Sequence, residues 1–135
     1  MNRLATRLVL YALAYAGIAH VPSAGASTET VLHSFDGTDG ESPADGLIES
    51  GGDFYGTTVA GGANAGYSLG TVFQLAPSGT VTVVHSFTGG GDGAVPYGGL
   101  IMKGGELYGT TSEGGAGGSN CANSAGCGAV FEVRK

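Results

Sequence analysis

The sequence is poor in positive charge, cysteine and proline, and it has no tryptophan. Five lysines and arginines stand against 11 aspartates and glutamates, and two of the five, Arg3 and Arg7, lie at the extreme amino terminus. Beyond them Lys103, Arg134 and Lys135 face all 11 acids, a formal charge of −8. Without a basic patch nothing displaces the counterions of a polyanion, so nucleic acid and anionic lipid surfaces are excluded as partners. Long apolar runs are also missing. The most apolar stretch, Leu8 to Ala19, is about a dozen residues, where a spanning helix needs ~20. Past residue 26 no ten-residue window shows helical periodicity, which excludes a helical fold.

The short apolar run has a natural reading. Arg3 and Arg7 precede it and Ala24-Gly25-Ala26 follows it, the layout of a secretory signal peptide over residues 1–26. A membrane anchor that stays attached is the alternative. Cleavage leaves a chain from about Ser27 with no membrane segment, secreted to the extracellular space or the periplasm. In that compartment the two cysteines, Cys121 and Cys127, favour a disulfide. Such a small loop contributes about 2 kcal/mol in the chain-entropy model. A redox pair or two metal ligands are the other readings, but the spacing is not Cys-x-x-Cys and no histidine lies nearby in sequence.

What the chain has in abundance is glycine, 28 residues, and internal repetition. Asp53-Phe54-Tyr55-Gly56-Thr57-Thr58 returns as Glu106-Leu107-Tyr108-Gly109-Thr110-Thr111, an offset of 53. Val31-Leu32-His33-Ser34-Phe35 returns as Val83-Val84-His85-Ser86-Phe87 at 52, and Gly70-Thr71-Val72-Phe73 as Gly128-Ala129-Val130-Phe131 at 58. One residue is therefore gained before Asp92 and five more in the last loop. A period near 52 belongs to propeller blades and other repeat arrays. His-Ser-Phe, Asp-Gly, Pro, Gly-Leu, Tyr-Gly-Thr-Thr, Gly-Gly and Gly-Thr-Val-Phe, in that order, resemble the GloVer-type (choice-of-anchor) tandem repeat of bacterial secreted proteins. The resemblance spans residues 29 to 133. It implies a β-propeller-like repeat, usually in longer arrays that often end in a surface-anchoring signal; two copies and no anchor are read here. It supplies no catalytic residues.

Each copy holds four β-rich runs between turn residues. The first has 30–35, 46–50, 53–58 and 70–76, the second 81–87, 98–103, 106–111 and 128–134. The expected fold is all-β, two four-stranded antiparallel propeller-like blades covering residues 27–79 and 80–135. Gly51-Gly52 and Gly104-Gly105 suit tight hairpins, and Pro77-Ser78-Gly79 is a turn that joins the copies without a flexible linker. The long loops 36–45, 59–69, 88–97 and 112–127 should share one rim, where function belongs. A blade face is roughly 300 Å², and two blades leave one such face bare at each end. Propellers close with about four to eight blades. Association of chains, for example three in a six-bladed ring, or pairing with other propeller blades follows; a two-sheet sandwich within one monomer is the alternative.

Candidate sites are few. His33 and His85 occupy equivalent positions, but no carboxylate partner stands at a fixed spacing, so they read as hydrogen-bonded strand histidines rather than metal ligands. Gly66-Tyr67-Ser68-Leu69-Gly70 spells a nucleophile elbow, yet it leads from a loop into a strand and the second copy lacks it. Asp36, Asp39, Glu41 and Asp45 crowd one loop as oxygen ligands could, without the order of a calcium loop; solvated turn acids are the plainer reading. Tyr67 and Tyr97 lie in rim loops among small polar residues and could stack on a glycan, with Asp39 and Asp92 beside them. No cofactor is expected. The leading function is a non-enzymatic exported repeat module in a binding or surface-structural role. The alternative is a carbohydrate-active hydrolase or lyase fragment using Asp39 and Asp92 as acid and base.

Overall fold

The computed structural model describes residues 27–63, 69–117, 121 and 125–135. The chain divides into two compact units, Met1–Thr30 and Val31–Lys135. Of the first, residues 27–30 are exposed and carry no regular structure; the residues read as a signal peptide lie outside the described set. The strands all belong to the second unit.

Among the described residues the fold is all-β and contains no helix. Eight strands follow one another: β1 (Glu41–Pro43), β2 (Ile48–Ser50), β3 (Asp53–Ala60), β4 (Thr71–Leu75), β5 (Val81–Ser86), β6 (Ile101–Lys103), β7 (Glu106–Thr110) and β8 (Val130–Arg134). They form two antiparallel sheets. In one, β3 pairs with β4 and β4 with β5, while β1 and β2 share the other edge of β3. The second is the three-stranded β6-β7-β8.

The expected tight hairpins are present. Gly51 and Gly52 join β2 to β3, Gly104 and Gly105 join β6 to β7, and all four have positive φ, the backbone a two-residue turn with right-handed strands requires. The turn at 77–79 is closed by two backbone bonds, from the Ala76 amide to the Thr80 carbonyl and from the Gly79 amide to the Ala76 carbonyl, both 2.9 Å.

That last turn corrects the expected strand count. β5 belongs by sequence to the second copy, yet the turn folds it back onto β4 of the first. The sheets therefore hold five and three strands rather than four each. The register runs Thr71 to Ser86, Val72 to His85, Phe73 to Val83 and Leu75 to Val81, with Val84 bulged out between. Residues 31–35 have the same sequence pattern as 83–87 but form no strand; among the described residues no strand pairs with them as β4 pairs with β5. A further short strand, β1, arises inside the loop expected over 36–45.

Both sheets feed one core. Tyr55 and Val72 from the first sheet, Leu107 and Phe131 from the second, and Phe87 and Leu100 from the connecting segment form a single buried cluster. β2 lies against β6 and β5 against β8, so the sheets meet at both of these strand pairs. The Tyr-Gly-Thr-Thr repeat is explained by this packing. A methyl group on Gly56 would sit 2.7 Å from Leu47 Cδ2 and from Phe73 Cζ, and Gly109 is pressed in the same way by Phe131 and Leu100. Both glycines make room for an aromatic ring on the neighbouring strand.

Candidate functional site

Strand alternation puts His85 and Phe87 on one side of their segment. The His85 ring meets Phe87 edge-on with centroids 4.9 Å apart, and Phe87 meets Phe131 of β8 edge-on at 5.0 Å. One repeat earlier His33, Phe35 and Phe73 make the same stack, each step 5.0 Å. Edge-to-face rings at this separation are favourable beyond the area they bury.

Each histidine is held at its other end by an aspartate. His33 Nε2 lies 2.6 Å from Asp39 Oδ2, and His85 Nε2 lies 3.1 Å from Asp92 Oδ2. Both histidines are hydrogen-bonded as expected, each to a carboxylate, but of the two His85 lies in a strand and His33 does not. The partner stands six residues on in one copy and seven in the other, because the residue gained before Asp92 falls inside the interval.

The same carboxylates close their turns. Asp39 Oδ1 accepts the Asp36 amide at 3.0 Å, and Asp36 Oδ1 accepts both the amide and the hydroxyl of Thr38. Asp92 accepts the amide and the hydroxyl of Thr88. The Thr38 hydroxyl and amide hold the Asp36 carboxyl below the usual aspartate range. Burial pushes the Asp92 carboxyl up, but bonds from the Thr88 hydroxyl and amide and from His85 outweigh it, leaving the group below its ordinary value. A histidine–carboxylate pair is part of an acid–base relay only if a nucleophile meets the imidazole. Among the described residues no other side chain hydrogen-bonds either ring.

The described parts of the four long loops form one continuous layer, as expected of a shared rim. The Gly62 amide bonds to the Gly37 carbonyl, Val95 to Leu69, Ser112 to Val95 and Gly115 to Gly90, so loops of both copies are stitched edge to edge. The hub of each half is the second threonine of the repeated Thr-Thr. Thr58 and Thr71 hydroxyls lie 2.8 Å apart; Thr58 Oγ1 also accepts the Thr71 amide and donates to the Ala60 carbonyl. Thr111 Oγ1 likewise donates to the Glu113 carbonyl and accepts the Ala129 amide. Ser42 and Val95, equivalent residues each preceding a proline, both take φ of 57°; for β-branched Val95 this is an unusual conformation, fixed by its bonds to Leu69 and Ser112.

The other candidates divide. Tyr97 stands in this layer, 61% exposed. Tyr67 and Ser68 lie outside the described residues, and so does the body of the Gly-x-Ser-x-Gly stretch. Glu41 is exposed in β1, and Asp45 bonds the Gly46 amide while its carboxylate lies against Gly99. Among the described residues no three His, Cys, Asp or Glu side chains gather as metal ligands would. Tyr108 donates to Glu106, and burial with the nearby Glu132 and Glu106 carboxylates raises its hydroxyl pKa. Cys121 and Cys127 are joined as a disulfide.

The family model described as the Gloeobacter/Verrucomicrobia repeat matches residues 13–135. No curated protein and no solved structure matches the chain.

Proposed function

We propose, from the premise that this chain belongs to the Gloeobacter/Verrucomicrobia repeat family, that it is an exported, non-enzymatic repeat module with a binding or cell-surface structural role. The observation that carries this reading is the duplication of the His–Asp turn. Both copies hold the same two groups in the same arrangement and commit them to ring stacking and to turn amides. Acid–base machinery is asymmetric in its environments, because an acid and a base need different pKa values. Groups that repeat because the fold repeats are a scaffold's groups. The disulfide suits an oxidising compartment outside the cytoplasm.

β2, β3, β4 and β5 order as a blade of a propeller does, from an inner strand outwards, and β6, β7 and β8 repeat its first three. The loop layer at one end is the surface for a ligand, and Tyr97 with its exposed ring is the residue there suited to stacking on a sugar. A glycan array on the purified chain tests the reading. Retention of a defined glycan without product release, lost in Tyr97→Ala, supports a binding module. Release of cleaved product from any retained glycan would replace the module with a hydrolase or lyase.

A further inference from the structure

Two pieces of backbone in this fold lack what their repeat equivalents have. β8 corresponds to β4, and β4 is covered on its outer side by β5. Among the described residues no strand lies on the outer side of β8. One sheet face of β8 is bare as well, where the matching face of β4 packs into the shared core. Val72 of β4 is completely buried, while Val130, its equivalent in β8, is 82% exposed. A cleft of about 440 Å³ runs beside it, lined by Val130 through Arg134 with His85, Gly91 and Asp92.

The second piece is the segment at 31–35. It corresponds to β5 and its continuation, residues 83–87, yet it makes no ladder with any described strand. Val31 is 71% and Leu32 50% exposed. The segment is not loose, because Phe35 packs on Phe73 and His33 is held by Asp39. It is an ordered, apolar stretch whose backbone joins no ladder among the described residues, which is the profile of a strand awaiting a partner.

The geometry points to pairing between these two pieces in different copies of this chain: residues 29–34 of one molecule add to β8 of the next as a fourth strand. The chain carries its own template for the bond, since β4 and β5 make it internally. Carrying that register over by the repeat offsets sets Ser34 opposite Ala129, His33 opposite Val130, Val31 opposite Phe131, Thr30 opposite Glu132 and Glu29 opposite Val133, with Leu32 taking the bulge of Val84. The Phe35 amide then meets the Gly128 carbonyl as the Phe87 amide meets that of Gly70 at 3.1 Å. The contact is heterologous, one donor segment and one acceptor edge per copy, so it closes into a ring or continues as a filament. Strand addition of this kind draws its affinity from main-chain bonds and its specificity from alternate side chains. It is an edge-to-edge union and needs no glycan, so its outcome is independent of the binding reading above.

Directional cross-linking tests it. Two chains, one carrying Thr30→Cys and the other Glu132→Cys, are purified apart and treated with a short thiol-specific linker separately and mixed. The expected result is a covalent dimer in the mixture and none from either chain alone. A second measurement is light scattering of the intact chain and of Val130→Lys. A lysine on this exposed edge should leave the melting temperature of the single chain unchanged while weakening association by about tenfold or more. Dimers from Glu132→Cys alone, equal cross-linking with and without mixing, or an intact chain that stays monomeric at the highest attainable concentration would each overturn the pairing.

Discussion

The hydroxyls of Thr58 and Thr71 sit 2.8 Å apart with both side chains buried, one at the end of β3 and the other at the start of β4. Thr58 Oγ1 also takes the Thr71 amide at 3.1 Å and gives its proton to the Ala60 carbonyl at 2.9 Å. One oxygen thereby serves three groups where the strands part into the loop layer. In Thr58→Val the Thr71 amide and the Ala60 carbonyl lose this partner, and a buried group left unpaired costs about 1–3 kcal/mol. Thr57→Val removes only a long bond, 3.3 Å, to the Gly98 carbonyl and should cost well under half as much. Urea unfolding of both variants checks the order. An equal loss in the two would mean that Thr58 is not the hub.

Gly56 is required by crowding rather than by backbone conformation. It carries no positive φ, and a methyl there meets Leu47 Cδ2 and Phe73 Cζ at 2.7 Å. Overpacking a core in this way costs about 1–3 kcal/mol. Gly91→Ala is the matched control, since it has open space around it and no positive φ. Thermal melts should show a clear loss for Gly56→Ala and none for Gly91→Ala. If Gly56→Ala melts with the parent chain, Phe73 has room that the packing denies it.

The repeat, the β class, the two glycine-pair hairpins and the common rim were all legible in residue order, because each rests on local chemistry: period, turn conformers and connection length. Strand membership was not. Val31–Phe35 and Val83–Phe87 are nearly the same string, yet the second enters a strand and the first does not, since a ladder needs a neighbour and among the described residues the second alone is paired with one. Pro77-Ser78-Gly79 did carry the clue. A tight turn between two β runs makes a hairpin, and a hairpin across a repeat boundary takes one copy's first run into the other copy's sheet. The His–Asp pairs escaped notice for a smaller reason. Spacings of six and seven look unrelated until the residue gained before Asp92 is placed between them. Tyr97 could be named as an exposed rim aromatic because it falls in a long glycine-rich loop rather than in a β-rich run.

The Asp92 turn should leave a signature at low pH. Burial favours the neutral acid there, but donation from Thr88 and His85 favours the carboxylate more, and the folded pKa lies below the ordinary value. The unfolded chain, with an aspartate pKa of about 3.9, therefore binds more protons than the folded chain in the window between the two values. The stabilisation is complete above the unfolded value and disappears as pH falls through the folded one. Asp92→Asn has no such proton to bind. The gap in urea midpoint between the parent chain and Asp92→Asn should narrow steadily as pH falls from about 5. Thr88→Ala removes the hydroxyl that donates to Asp92 Oδ1, so a carbon-detected titration of the Asp92 carboxyl should move upward in that variant. A midpoint gap that stays level across the acid range, with an unmoved titration in Thr88→Ala, would show that this carboxylate gains nothing from its turn.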